Sequence, residues 1–293
     1  MLKQFDDVLS YIEEQLKGEI LQEEIAKRSC CTFPAFQKMF SYIVGIPLSL
    51  YIRRRKMSAA VFDLLEGQSI VALSEVYGYQ SPTAFNRAFQ SIHGFPPSEV
   101  KQKKNELVSY PRLHLSLAVS GEASIRYRIE EKKAMVFVGK RYRLNREVEE
   151  NFQQVPTFWH DFQRTEQYSQ LRDSTDCGID EFIYGVAVAK AGVPDSYYIG
   201  LSVKEERTLP VNEMICIPKQ TWVVFSGEGA MPETMQQMYR TFYREWLPAA
   251  DYDYEITVGD IEVYPLKQES LEAEKCELWL PIKRKTRAYQ LFY

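Results

Sequence analysis

The chain has 293 residues, of which 45% are hydrophobic and 26% are charged. This composition is ordinary for a soluble globular protein and excludes a wholly disordered or collagen-like chain. No segment approaches the roughly 20 consecutive apolar residues that span a bilayer, and the N-terminus lacks an apolar signal core. We therefore expect a cytoplasmic protein without a membrane partner.

The length suggests about two domains, and charge is distributed unevenly between them. The formal net charge is −4, but residues 1–104 carry 13 basic and 11 acidic side chains, whereas the remainder carries 23 and 29. The acidic excess lies in the second part, so the first part can still approach DNA. The five cysteines (Cys30, Cys31, Cys177, Cys216 and Cys276) fit neither a disulfide framework nor a zinc site. We expect reduced thiols, no metal and no cofactor.

Two segments of the first part repeat one pattern at a constant offset of 49 residues. Residues 32–47 and 81–96 each begin with a hydroxyl residue, carry two phenylalanines four positions apart and end in Gly-x-Pro. The hydroxyl residue is a good N-cap, and phenylalanines at i and i+4 share one face of a helix. Each segment is therefore predicted to be a helix that ends near its glycine, Gly45 or Gly94.

A shorter helix is predicted before each segment, over Leu21 to Arg28 and over Ser69 to Tyr77. Two helices joined by a short turn form a helix-turn-helix. Residues 48–65 carry an apolar stripe, which predicts a long connecting helix between the two repeats. The first part is thus predicted to be an all-α tandem helix-turn-helix domain over residues 1–103.

Several motifs stand at fixed places in these repeats: Ile25-Ala26, Phe36-x-x-x-Phe40, Gly45-x-Pro47, Arg55, the turn from Ser74 to Tyr79, Phe85-x-x-x-Phe89 and Gly94-Phe95-x-Pro97. Over about eighty residues, this set resembles the DNA-binding region of AraC/XylS transcription regulators. The first repeat departs at Cys30, where those proteins often have the turn glycine. The resemblance implies double-stranded DNA and RNA polymerase as partners, and it leans toward an activator.

The second helix of each repeat is expected to enter the major groove. The predicted base contacts are Gln37, Lys38, Thr83, Asn86 and Arg87, at positions that carry base contacts in the resembling family. Arg87 suits guanine, whereas Gln37 or Asn86 suits adenine. The helix N-termini place Thr32 and Ser81 near phosphates. A solvated helix face is the alternative for Gln37 and Asn86.

Four cations follow one another at Arg53-Arg54-Arg55-Lys56. Successive helical residues point about 100° apart, so the four cannot all face one groove. We expect at most one phosphate contact from this run, and we expect Arg55 to pair with an acid.

Residues 104–123 lose the helical regularity and are predicted to be a linker. From residue 124 to residue 293, short β-branched and aromatic runs alternate with two amphipathic segments. The order strand–helix–strand–strand occurs twice, with Met135-Val-Phe-Val138 opening the first copy and Trp222-Val-Val-Phe225 opening the second. This order predicts an α+β domain on an antiparallel sheet.

The second part contains Ile217-Pro218-x-x-Thr221-Trp222, Glu245-Trp246-Leu247-Pro248, Asp260-x-Glu262-Val263-Tyr264 and Glu277-x-Trp279-x-Pro281-Ile282. Over about 170 residues, these motifs are similar to those of the GyrI-like small-molecule-binding domain of Rob-like regulators. The resemblance implies an effector-binding domain over residues 124–293.

Strand alternation puts Glu277 and Trp279 on one face, and likewise Glu262 and Tyr264. A carboxylate beside aromatic rings suits a lipophilic cation, and the pKa of such an acid is expected to rise in an empty apolar pocket. The predicted effector contacts are Glu277, Trp279, Glu262, Tyr264, Trp222, Tyr184 and Trp159. Solvated glutamates and core packing of the rings are the alternative.

Together these features predict a one-component transcription regulator, controlled by a small apolar or cationic effector. The sequence contains no nucleophile elbow, phosphate loop or metal cluster, so we do not expect an enzyme. Two other functions stay open: a small-molecule hydrolase that uses the same acids, and a module that binds a protein partner. The sequence does not determine the oligomeric state.

Overall fold

The computed structural model of the chain describes residues 2–113, 126–145, 148–173, 181–188, 196–203, 213–255, 257–266 and 274–285. The chain divides into two compact units, residues 1–119 and 120–293, which we call the helical unit and the sheet unit. Residues 114–123 of the predicted linker lie outside the described residues, as does Cys177. None of the described helices is long and apolar enough to cross a membrane.

The helical unit contains the two predicted helix-turn-helix repeats. Its described α-helices are α1 (Leu2–Glu14), α2 (Gln22–Ser29), α3 (Phe33–Val44), α4 (Leu48–Leu65), α5 (Ile70–Val76) and α6 (Pro82–His93). Helices α2 and α3 form the first repeat, α5 and α6 form the second, and α4 connects them. Short 3-10 turns follow at Pro97–Glu99 and Lys104–Glu106.

Helix α1 has no counterpart in the predicted repeats, although its apolar residues follow helical spacing. Phe5, Val8, Leu9 and Ile12 are all buried. The ring of Phe5 stacks on Phe40 with centroids 5.7 Å apart and contacts Phe36 at 5.5 Å. Helix α1 therefore packs on the phenylalanine face of the first repeat.

The second helix of each repeat, α3 or α6, is the one expected to enter the major groove, and we call these two the recognition helices. They begin differently. The hydroxyl oxygen of Ser81 accepts a hydrogen bond from the amide of Ala84 at 3.2 Å, as predicted for an N-cap. Thr32 occupies the equivalent position but accepts no amide, and its hydroxyl is buried without a partner among the described residues, so the predicted cap bond is absent. Before Thr32, Cys30 adopts a left-handed backbone conformation with φ 56°, which explains why glycine suits this turn.

Ser81→Ala should lower the free energy of unfolding of the helical unit by about 1 kcal/mol, because the amide of Ala84 loses its acceptor. Thr32→Ala is the matched control and should change it by less than about 0.5 kcal/mol, since no amide bond is lost. Denaturant titrations followed by circular dichroism measure both values. Equal losses would contradict the difference between the two caps.

The first residues of the predicted linker contact the helical unit. The amide of Tyr110 donates to Ser58 at 3.0 Å, and its carbonyl accepts from Arg55. The guanidinium of Arg54 lies 4.4 Å from the centroid of the Tyr110 ring. The described part of this segment, up to residue 113, therefore runs along helix α4.

The described strands of the sheet unit form one antiparallel sheet. Its described strands are β1 (Tyr127–Lys132), β2 (Met135–Arg143), β3 (Phe182–Val188), β4 (Ser196–Val203), β5 (Glu213–Ile217), β6 (Gln220–Gly229), β7 (Tyr252–Tyr254), β8 (Asp260–Pro265) and β9 (Glu274–Arg284). The strand order is β1-β6-β9-β8-β3-β4-β2-β5, and β7 pairs with β9. The described helices of this unit are α7 (Val148–Gln163), α8 (Glu166–Asp173), α9 (Glu233–Thr241) and α10 (Leu247–Ala249), with a π-helical turn at Phe242–Trp246 between the last two.

The sheet confirms the predicted pair of strand–helix–strand–strand copies. The first copy is β2-α7-β3-β4 and the second is β6-α9-β8-β9. Strands β3 and β8 pair along the seam between the copies, with Gly185 opposite Glu262. Strands β1, β5 and β7 lie outside the two copies.

The register sorts side chains onto two faces, because residues opposite each other in paired strands point to the same side. Aromatic rings from the helices contact one side of the sheet. Trp159 of α7 contacts Tyr264, and Phe242 of the π-helical turn after α9 contacts Phe225. We call this side the helix face. Trp222, Trp279 and Tyr184 belong to the opposite face.

Candidate DNA interface and effector site

The second recognition helix, α6, presents an exposed polar face. Thr83 and Arg87 are exposed four positions apart, and Gln90 is exposed three positions further along. Asn86 is half-buried, and its Oδ1 atom has no hydrogen-bond partner among the described residues. Residues at i, i+4 and i+7 share one helix face, so Thr83, Arg87 and Gln90 form a surface suited to a major groove. The same spacing identifies Gln90, which is not among the predicted contacts.

The first recognition helix, α3, is more deeply packed. Gln37 is only 3% exposed, and its Oε1 atom has no partner among the described residues. The expected exposed position of Gln37 is therefore wrong, and we withdraw its predicted base contact. The cause is a wide buried face on α3, since Ala35, Met39 and Tyr42 are buried together with the two phenylalanines. Lys38 remains partly exposed.

Three of the four consecutive cations on α4 are engaged within the helical unit. Arg55 donates to both carboxylate oxygens of Glu13 at 2.8 and 2.7 Å, which confirms the predicted pairing with an acid. Arg54 stacks on Tyr110, and Lys56 donates to the carbonyl oxygen of Tyr77 at 2.7 Å. Arg53 is exposed, so it is the cation of this run that can reach a phosphate.

The Glu13–Arg55 pair is half-buried, with side chains 15% and 16% exposed. Burial acts to raise the pKa of Glu13, but hydrogen bonds from Arg55 and Tyr51 outweigh it and hold the pKa below its usual value. The hydrogen bond to Glu13 in turn raises the pKa of Arg55. Both groups stay charged at neutral pH and fix α1 to α4.

The predicted effector residues divide between the two faces of the sheet. Glu277, Trp279, Trp222 and Tyr184 lie on the opposite face, whereas Glu262, Tyr264 and Trp159 lie on the side of the helices. The sequence pattern correctly joins Glu277 to Trp279 and Glu262 to Tyr264. The two pairs form separate clusters and cannot line one pocket.

Glu277 already has an internal cation. Its Oε2 accepts from Arg128 at 2.7 Å and from the indole of Trp279 at 2.8 Å. The ammonium group of Lys132 lies 4.1 Å from the centroid of the Trp279 ring. Burial acts to raise the pKa of Glu277, but the bonds from Arg128 and Trp279 outweigh it, so the pKa is lowered. The expected rise of this pKa is therefore wrong for Glu277.

The other aromatic residues of the opposite face belong to its core. Trp222 is fully buried and Tyr184 is nearly so. The ring of Trp279 lies 6.1 Å from that of Tyr184 and 6.4 Å from that of Trp222. Core packing accounts for Trp222 and Tyr184.

Glu262 accepts hydrogen bonds from two phenols. Its Oε2 accepts from the hydroxyl groups of Tyr197 at 2.6 Å and Tyr264 at 3.1 Å. The indole of Trp159 donates to the Tyr197 oxygen at 2.8 Å, and its ring meets Tyr264 edge-on at 4.9 Å. We call these four residues the Glu262 cluster. Glu262, Tyr264 and Trp159 are partly exposed.

The close approach in the Glu262 cluster depends on Gly185. A Cβ atom at this position would lie 2.0 Å from the Tyr197 hydroxyl oxygen and 3.1 Å from Oε2 of Glu262. Burial, followed by the charge of Glu262, holds the pKa of both Tyr197 and Tyr264 well above the usual value. The two phenols therefore remain protonated donors. For Tyr197 the sequence leaves core packing and ligand contact equally open, because its place beside Glu262 depends on strand pairing across β4, β3 and β8.

Comparisons with known proteins cover both units. Residues 128–282 match a family described as integron-associated effector binding protein, and residues 25–103 match a helix-turn-helix domain family. The multiple antibiotic resistance protein MarA of Escherichia coli is 32% identical over 95 residues, which make up 32% of this chain and 75% of MarA. The HTH-type transcriptional activator AarP of Providencia stuartii is 31% identical over 93 residues, or 31% of this chain and 69% of AarP. A structure of SAV2435 bound to tetraphenylphosphonium aligns with 54% of this chain and 94% of that protein, at 18% identity and a TM-score of 0.45.

Two helix-turn-helix repeats followed by an effector-binding sheet domain define a DNA-binding transcription regulator controlled by a small molecule. The first part is an AraC-type helix-turn-helix domain, as its motifs predict. The chain belongs to the integron-associated effector-binding protein family. The matched GyrI-like domain, residues 128–282, makes up more than half of the chain.

Proposed function

We propose that this regulator is a cytoplasmic transcription activator whose effector is a lipophilic cation bound at the Glu262 cluster. The observation that carries the proposal is a partly exposed carboxylate that accepts from two phenols beside an indole ring. A carboxylate neutralises a cation, and the faces of aromatic rings attract it further. The flat rings of Trp159 and Tyr264 also suit an apolar body around the charge.

The Glu262 cluster is a better candidate than the group around Glu277 (Arg128, Lys132 and Trp279) because of the charges that surround Glu277. At Glu277, Arg128 supplies the charge that a cationic effector would bring, and Lys132 occupies the indole face. A cation would have to displace both groups before it could bind there. At Glu262, the phenols of Tyr197 and Tyr264 donate hydrogen bonds to the carboxylate, and both donors are neutral.

The proposed DNA site has two half-sites, one for each recognition helix. Arg87, Thr83 and Asn86 are proposed to read bases for the second repeat, and Lys38 for the first. Arg53 and the helix N-termini that begin at Thr32 and Ser81 are proposed to contact phosphates. Similarity to a protein named a transcriptional activator supports activation, and an activator requires RNA polymerase as its partner.

The proposal is tested with the full chain and two probes of similar shape, tetraphenylphosphonium and the neutral triphenylphosphine oxide. A ligand that binds only the folded protein raises its melting temperature, and a concentration of about 100 Kd adds about 2.7 kcal/mol of stability. We expect the cation to raise the melting temperature and the neutral probe to have little effect. The cation must also change transcription from a selected DNA site in a purified system, since regulation requires different affinities for two states. Equal stabilisation by both probes would contradict a cation site, and unchanged transcription would contradict control by it.

A further inference from the structure

Helix α4 holds the two helix-turn-helix repeats together through a small set of polar contacts. Asp63, near the end of α4, is 5% exposed. It accepts from the ammonium group of Lys17 at 2.8 Å and from the hydroxyl group of Tyr77 at 2.6 Å. Lys17 lies between α1 and α2, whereas Tyr77 ends α5, so one carboxylate joins both halves of the helical unit.

Lys56 makes a second connection between the same two places. Its ammonium group donates to the carbonyl oxygen of Gly18 at 3.2 Å and to that of Tyr77 at 2.7 Å. A Cβ atom on Gly78 would lie 3.1 Å from the Gly18 carbonyl oxygen, so the two backbones approach closely at this point. We call Lys17, Gly18, Lys56, Asp63 and Tyr77 the repeat bridge.

The repeat bridge acts at the turn of the second repeat. Tyr77 is fully buried, and its ring packs against Phe85 of α6 in a tilted arrangement with centroids 6.3 Å apart. Gly78 follows with a positive φ of 74° and starts the turn into α6. Any shift of Tyr77 therefore moves the start of α6, whereas α3 is fixed to α1 through Phe5.

We propose that Asp63, Lys56 and Tyr77 are positioning residues that set the distance and angle between the two recognition helices, and so determine the half-site spacing that the protein accepts. Two recognition helices on one rigid body can enter successive major grooves about one helical turn apart. Asp63 and Tyr77 are buried and their hydrogen bond is short, so the bridge resists small shifts of one repeat against the other. The inference rests on the proposed use of both repeats on one DNA site.

The test uses the full chain and duplexes obtained by selection from a randomised pool. Bases are then inserted or removed between the two selected half-sites. For the natural chain we expect a single base pair to reduce affinity about tenfold, which corresponds to about 1.4 kcal/mol. For Tyr77→Phe, which keeps the ring and removes the hydroxyl group, we expect the same change to cost no more than about threefold, or about 0.65 kcal/mol.

Tyr11→Phe is the matched control. The Tyr11 hydroxyl accepts from the amide of Leu21 at 3.0 Å, so this variant also loses an internal bond, but within the first half alone. It should keep the spacing dependence of the natural chain. Lys56→Met, which removes the second connection, serves as an independent variant if Tyr77→Phe does not fold.

Unchanged spacing dependence in both bridge variants would overturn the inference and leave the proposed function standing. Loss of spacing dependence in Tyr11→Phe as well would also overturn it, because general loosening would then be the cause. If the natural chain selects a single half-site, both the inference and the proposed two-part site fail.

Discussion

Glu262→Gln should weaken the binding of tetraphenylphosphonium to the full chain by about 2–3 kcal/mol, or roughly 30- to 150-fold. Glutamine has nearly the same shape but no charge, so the phenols keep an acceptor while the cation loses its counter-charge. Removal of one partner of a buried charge pair costs about 2–5 kcal/mol of binding free energy. We expect the lower part of this range because Glu262 is partly exposed and solvent screens its charge. Isothermal titration calorimetry measures the change.

Glu277→Gln is the matched control for this prediction. It removes a carboxylate from the opposite face, where Arg128 already neutralises it, so cation affinity should change by less than about twofold, or 0.4 kcal/mol. A larger loss at Glu277 than at Glu262 would move the effector site to the opposite face. Equal losses of cationic and neutral ligands in Glu262→Gln would make Glu262 a structural residue.

Arg87→Ala should weaken specific DNA binding by about 1–3 kcal/mol, because one bidentate contact to a guanine is lost. Arg87 is exposed on the face that also carries Thr83 and Gln90, so its removal leaves the core of α6 intact. Competition of selected and random duplexes at one fixed salt concentration measures specific and non-specific affinity together.

Arg53→Ala provides the comparison for Arg87→Ala, since both remove an exposed arginine from the helical unit. A phosphate contact carries no sequence information, so Arg53→Ala should reduce specific and non-specific affinity alike. Arg87→Ala should instead lower their ratio. An unchanged ratio in Arg87→Ala would remove Arg87 from the proposed base contacts.

The tandem repeats could be predicted from sequence because each is a local pattern that occurs twice. Helical spacing of Phe36 with Phe40 and of Phe85 with Phe89 defines the buried faces without knowledge of any partner. Helix α1 follows the same spacing but occurs only once, so no internal comparison draws attention to it. The burial of Gln37 could not be predicted, because it results from the width of the packed face of α3.

The effector site was only partly predictable for a related reason. Alternation within one strand correctly assigns Glu277 with Trp279, but it does not determine which strands are neighbours. Arg128 pairs with Glu277 across 149 residues, and Tyr197 meets Glu262 across 65. Those distant contacts place Arg128 beside Glu277 and Tyr197 beside Glu262, and neither can be read from the alternation of a single strand.

The seam between β3 and β8 has a consequence for ligand stoichiometry. A domain built from two similar copies could hold two equivalent sites, one in each copy. The Glu262 cluster instead takes Trp159 and Tyr197 from the first copy and Glu262 and Tyr264 from the second. A single effector would therefore bind per chain and be shared between the halves. Loss of the residues that either copy contributes would destroy the whole site. The two copies can therefore differ in sequence, but both must be present in one chain.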